Sequence, residues 1–162
     1  MTSSLRRLFL EPLRIKDWAW ERFANGDPYT SGGLQLRPRN LAKLGQLVLD
    51  DGVWQGQQIV SAGWIKEMTS RHNPDGMWFG FARRLWLPMV AGPVTIDRRN
   101  IDWAGSLGWG GQRLYAVPEF GLVVAVTAGA YGSWQGGPPA ALENLAGDTA
   151  LNAFALPAAL GR

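Results

Sequence analysis

The chain has 162 residues, and 46% hydrophobic against 18% charged residues reads as one globular, ordered domain with a core of its own. Sixteen basic against 13 acidic residues leave a net charge of +3, with arginines scattered in twos (Arg6-Arg7, Arg37/Arg39, Arg83-Arg84, Arg98-Arg99) and no aromatic-interleaved basic stripe, which argues against nucleic acid as a partner. With no cysteine and one histidine, His72, disulfides, a thiol nucleophile and zinc sites built on Cys or on several His are excluded, and neither a metal nor a cofactor is expected.

The first stretch, Met1 to Leu13, carries two arginines and a short apolar patch, without the long apolar region of a secretory leader. As written it reads as cytoplasmic, or as lying downstream of a leader, in which case the full-length form is periplasmic. No run reaches the length of a membrane-spanning helix, so no membrane span is expected. Residues 4–13 suit the end of a helix, with Leu5, Leu8, Phe9 and Leu13 on one face and Pro12 limiting it. Residues 24–33 are turn and loop by composition. Pro38 to Asp50 is the clearest helix: Pro38 suits its first turn, and Leu41, Leu44, Leu47 and Val48 recur every three to four residues. Gly52 is placed to cap it in the left-handed conformation. A tight turn at Trp54-Gln55-Gly56-Gln57 follows, and Ser61 caps a short helix carrying Trp64, Ile65 and Met68.

His72 to Gly76 reads as loop, Trp78 to Leu87 as an aromatic strand, and Val94 to Ile96 as one short strand. Asp97, Arg98, Arg99 and Asp102 read as a solvated charged loop. Arg113 to Val117 and Leu122 to Thr127 are strands joined by a turn at Pro118 to Gly121. The second is apolar on both faces, which predicts a central strand covered by helices. After a break at Gly136-Gly137-Pro138-Pro139, Ala140 to Phe154 is expected to form a final helix. Helices before strands and one after predict an α+β fold with an antiparallel sheet flanked by helices, divided into a helical region over 1–76 and strands with a last helix over 77–162.

The segment from Ala104 to Gly129 is the most informative for function. Glycines at 105, 108, 110 and 111 admit close approach of the backbone to something that side chains would exclude, and Trp109 stands among them. That pattern predicts a strand edge lining a pocket. For Trp109 the other reading is plain packing, and for Gly110 and Gly111 a β-bulge without functional meaning.

Four stretches, LFLEPLRIKDW (8–18), the long run 31–69, WFGFARRLW (78–86) and GWGGQRLYAVPEFGLVVAVTAG (108–129), together resemble the C-terminal half of the serine β-lactamase and penicillin-binding-protein superfamily. The branch they resemble most is the class C-like hydrolases that include esterases and 6-aminohexanoate-dimer hydrolases. The resemblance implies acyl transfer through a serine, with a small ester, amide or β-lactam as substrate. Its third site element, Trp-Gly-Gly in the esterase-like branch, would be Trp109-Gly110-Gly111 here, lining the substrate pocket. The backbone N–H of Gln112, next after the triplet, would be one oxyanion donor, with its side chain facing solvent. Trp109 in place of a cation leans away from anionic penicillin-type substrates and toward neutral esters or amides.

The other two elements are missing. Ser3, Ser4, Ser31, Ser61, Ser70, Ser106 and Ser133 are followed three residues on by Arg6, Arg7, Leu34, Trp64, Asn73, Trp109 and Gly136, never by lysine. Tyr29, Tyr115 and Tyr131 start no Tyr-x-Asn. Ser106 has no Lys, His or Tyr near it in sequence to take its proton, and His72 suits a solvated or capping role better than a base. Tyr29 and Tyr131 are lesser candidates for pocket aromatics. The expectation is a C-terminal portion of a single β-lactamase-like domain whose N-terminal portion is missing. Such a piece keeps an unpaired sheet edge and calls for the missing half or for self-association. The competing reading is a non-catalytic remnant that binds a ligand or partner, a glycan among them, through its aromatic surface.

Overall fold

The structure, a computed structural model, describes residues 2–30, 32–70, 81–82, 85–86, 90–96, 99–129 and 149–161. It is α+β, with helices and antiparallel sheets. His72, Tyr131, Asp97, Arg98 and the first part of the final helix lie outside the described residues.

A first helix, α1 (Thr2–Leu5), runs on as a π-helical turn over Arg6–Leu10. Strands β1 (Trp18–Trp20) and β2 (Leu34–Leu36) pair antiparallel at the base of the loop between them. Helix α2 (Pro38–Leu49) starts at proline and ends as expected: Gly52 adopts φ +82° and donates its N–H to the Leu47 carbonyl at 2.7 Å. A Cβ at Gly52 would lie 1.9 Å from the Val60 oxygen, so only glycine fits. Strands β3 (Val53–Trp54) and β4 (Gln57–Gln58) flank a two-residue turn with Gln55 at φ +50° and Gly56 at +83°. Such left-handed pairs match the twist of a hairpin. Helix α3 (Ala62–Thr69) is capped by the Ser61 hydroxyl, which accepts from the Trp64 N–H at 3.2 Å. Ile65 is buried there, whereas Trp64 is 45% exposed.

The predicted strand over 78–87 is broken up: β5 (Phe81–Ala82) and β6 (Leu85–Trp86) pair with each other as a small hairpin. The main sheet contains β7 (Val90–Ile96), β8 (Arg99–Gly108), β9 (Gln112–Val117) and β10 (Leu122–Val126), in the antiparallel order β10-β9-β8-β7. β7 is longer than the predicted Val94 to Ile96, and among the described strands it is an end strand, which accommodates Pro93.

Two expectations are corrected in the sheet. Arg99 and Asp102 are not in a loop but in the first half of β8, anchored by Ile101 at 0% exposure between them. Arg99 shares the face of Ile101 but stands at the exposed start of the strand, and Asp102 is exposed on the opposite face. Arg99 pairs with Glu119 and stands 5.8 Å from the Phe120 ring centre. The second correction concerns β10, which is not central among the described strands. β9 is, and it is the strand buried from Arg113 to Val117. β10 reads as apolar on both faces because both faces are covered, as expected, while one of its edges has no partner among the described strands.

Side chains alternate across this sheet. Tyr115 and Val117 join Ile101, Leu151 and Leu156 in one core, against the C-terminal helical segment: a π-helical run, Ala150–Ala155, that continues into α4 (Leu156–Ala159). The last helix therefore passes the predicted end at Phe154 and continues through Pro157. On the other face α2 lies so close that a Cβ at Gly45 would come within 2.5 Å of Val123 Cγ1 and 3.0 Å of Leu114 Cδ1. The opposite side of α2 gives Leu47 to a second core with Leu10, Leu13 and Ile15.

Candidate functional site

β8 and β9 are joined by Trp109–Gly111, a three-residue connection in which Gly108 stands across from Gln112. This corrects the expectation that the triplet lines a strand edge: it is the turn of a hairpin. Gly110 has φ +76° and Gly111 +90°, so both glycines are required by backbone conformation before any ligand is considered. Both are buried.

The other two glycines also serve the fold. A Cβ at Gly105 would lie 2.1 Å from the Leu114 carbonyl oxygen and 3.2 Å from Trp103 Cζ3. The missing side chain leaves room for Trp103 and Tyr115 to meet edge to face, with ring centres 5.0 Å apart at 80°. A Cβ at Gly108 would come within 2.9 Å of Gln112 Cβ. What the backbone approaches at 105 and 108 is thus the partner strand.

Gln112 begins β9. Its side chain does not face solvent, as expected from sequence, but is partly buried. The carboxamide nitrogen donates to the Ala128 carbonyl, and its oxygen accepts from the Ala128 N–H at 3.3 Å. A side chain thereby adds a rung beyond the last backbone pair of the hairpin, Arg113 with Val126. Arg113, which sequence reasoning passed over, is 4% exposed. Its Nη1 donates to the carbonyls of Gly108 at 3.1 Å and Gln112 at 2.8 Å, at the two ends of the turn. Its sequence position, alternating with Leu114 in a strand, is the signal that would have placed it on the Tyr115 face.

Ser106 lies on β8 across from Leu114. Pairing between β7 and β8 runs from Ile96 with Arg99 to Val90 with Gly105. Among the described strands, the outer edge of β8 is therefore free from Ser106 to Gly108, beside the turn. Tyr29 is remote in sequence from this hairpin: it is 40% exposed and meets Phe23 edge to face at 5.3 Å. Its ring lies over Gly32, where a Cβ would be 3.3 Å from Tyr29 Cε1. An open apolar groove of about 420 Å³ is lined by Ser4, Leu5, Leu8, Phe9 and Ile59, none of them from the glycine-rich hairpin. Among the described residues no three His, Cys, Asp or Glu side chains converge as metal ligands, and no helix is long and apolar enough to cross a membrane.

A buried turn with two glycines, fixed at both ends, can present main-chain N–H groups to a developing negative charge. It contains no group that could itself attack a carbonyl.

No protein-family profile matches the chain. It is 25% identical over 109 residues to the 6-aminohexanoate-dimer hydrolase of Paenarthrobacter ureafaciens. The aligned region covers 61% of this chain and 26% of that protein, so the chain spans about a quarter of the length of the relative it matches. The chain is thus distantly and partially similar to a hydrolase.

Proposed function

We infer that this chain is the C-terminal portion of a β-lactamase-related serine hydrolase that cleaves an ester, amide or β-lactam through an acyl-serine. The distant likeness to a 6-aminohexanoate-dimer hydrolase, over about a quarter of its length, carries this reading. The single β-lactamase-like domain would be completed by a region that brings the nucleophile. Its serine oxygen would attack the substrate carbonyl carbon as a base takes the hydroxyl proton, and the carbonyl electron pair would move onto oxygen. The backbone N–H of Gln112 would donate to that oxyanion, and Trp109, Gly110 and Gly111 would form one pocket wall. Collapse expels the alcohol or amine, which takes up the proton, and water then releases the acid from the serine.

A second reading is a non-catalytic remnant or pseudoenzyme that binds a ligand or partner. The observation favouring it is that no serine of the chain is followed by lysine three residues on.

A fluorophosphonate label applied beside p-nitrophenyl butyrate and a chromogenic cephalosporin separates these. The chain alone is expected neither to label nor to turn over substrate, and turnover is expected on joining it to an in-frame upstream segment containing Ser-x-x-Lys. If no such segment exists in the gene, or if the joined protein stays inert, the remnant reading stands. Labelling of the chain alone would make Ser106 the first residue to substitute. The same reading expects the isolated chain to self-associate, and a monomer with a sharp melting transition in sedimentation and thermal scans counts against it.

A further inference from the structure

We propose that the side chain of Gln112, with Arg113, is a positioning device for the Trp109–Gly111 turn. This rests on the reading of the Gln112 N–H as an oxyanion donor. The turn alone is poorly suited to aim anything, because Gly110 and Gly111 reach their positive φ values with more conformational freedom than any other residue type. Aimed donors act only if they are already in place when charge develops. The fold supplies that constraint through two adjacent side chains that alternate to opposite faces of β9.

On one face the Gln112 carboxamide grips both polar groups of the Ala128 peptide unit. It needs an amide for this: one end must donate to a carbonyl while the other accepts from an N–H. On the other face the buried Arg113 guanidinium holds the carbonyl that enters the turn, at Gly108, and the one that leaves it, at Gln112. The donor atom thus belongs to a residue fixed at its own side chain, its own carbonyl and the strand across from it. The grip on Ala128 also ties the turn to the exit of β10, so the turn and residues 127–129 are expected to order or loosen together.

Gln112→Glu tests this through chemistry that simple packing does not share. An ionised carboxylate accepts only, and would face the Ala128 carbonyl lone pair to lone pair. A neutral carboxyl can donate to that carbonyl and accept from the N–H, as the amide does. Burial and the facing carbonyl raise such a carboxyl above its ordinary pKa near 4.3. The grip is therefore present at low pH and lost as pH rises through that raised pKa.

Amide hydrogen exchange of the intact ligand-free chain is measured from pH 4 to pH 7.5, as protection relative to the unsubstituted chain at each pH. In Gln112→Glu the amides of Gly110, Gly111, Gln112 and Ala128 are expected to lose about tenfold protection at neutral pH and to regain it at pH 4. Ala116 and Val117 in the centre of β9 are expected to keep theirs. Gln112→Met, which is neutral throughout, should show the local loss at both pH values. Equal loss across β9, unchanged protection at the turn in either variant, or a Glu variant that does not recover at pH 4 each overturn the proposal. No catalysis is read, so failure of the hydrolase assay and failure of the brace are separate outcomes.

Discussion

The β3–β4 and β8–β9 hairpin turns both use glycine at positive φ, and they differ in what surrounds it. In the β3–β4 turn, Gly56 at φ +83° has nothing within 4 Å of where a Cβ would stand, and the glutamines that follow are exposed. In the β8–β9 turn, Gly110 and Gly111 are buried, and side chains from the next two residues hold the carbonyls and the neighbouring strand. The first turn is a connection, whereas the second is a constrained element. Glycine content alone therefore does not mark a functional turn. What separates them is whether the fold restrains the freedom that glycine brings.

Substitutions can break or sharpen that contrast. The largest effect is expected at Gly105, beneath the constrained hairpin. Gly105→Val drives a side chain into the Leu114 carbonyl and the Trp103 ring, and should cost about 3 kcal/mol or more in urea unfolding, enough to threaten a marginal fold. Arg113→Met keeps the buried volume but strips donors from two turn carbonyls, with an expected loss of roughly 2–3 kcal/mol by the same measurement. If Arg113→Met proves neutral, the constrained turn is no more restrained than the open one. Gly56→Ala meets no atom and carries only backbone strain, about 1 kcal/mol, which Gly56→Asn should mostly remove. The smallest change is expected for Arg99→Ala. Its ion pair with Glu119 is solvated, with 54% of the Arg99 side chain exposed, and its removal should cost about 0.5 kcal/mol and vary with salt.

The open turn was legible in the sequence and the constrained one was not, for a physical reason. Around α2 every signal is local: Pro38 at the start, the leucine spacing, Gly52 at the end, Gln55-Gly56 in the next turn and Ser61 as a cap. These settle φ and ψ within a few residues, so the sequence states them directly. In the sheet the deciding contacts are between residues distant in the chain. Arg99 and Asp102 look like loop until Ile101 is seen as an anchor between them. The LVVAV run suggests a centre, yet it is Arg113 to Val117 that lies inside the sheet, flanked on both sides and buried, with an arginine and a tyrosine that sequence alone would place nearer the surface. The candidate residues Trp109 to Gln112 were found by their glycines. The side chains that hold them, Gln112 and Arg113, have partners at Ala128 and Gly108 that no short-range pattern specifies.

The loop between β1 and β2 contains Gly, Asn, Asp and Pro and exposes Phe23 and Arg22, which is the usual profile of a protease cutting site. Its main chain is nevertheless committed. The backbone N–H groups of Glu21, Tyr29 and Phe23 donate hydrogen bonds to the carbonyls of Gly33, Glu21 and Asp27 at 2.9–3.0 Å. The Trp20 indole N–H reaches the carbonyls of Tyr29 at 2.8 Å and Gly32 at 3.2 Å, and the Arg22 guanidinium reaches that of Gly26 at 2.7 Å. Trypsin needs an extended, unengaged stretch of backbone in its cleft, and Arg22 offers none without first undoing this net. Brief digestion should therefore spare the bond after Arg22, and a nick there would report that the loop had opened.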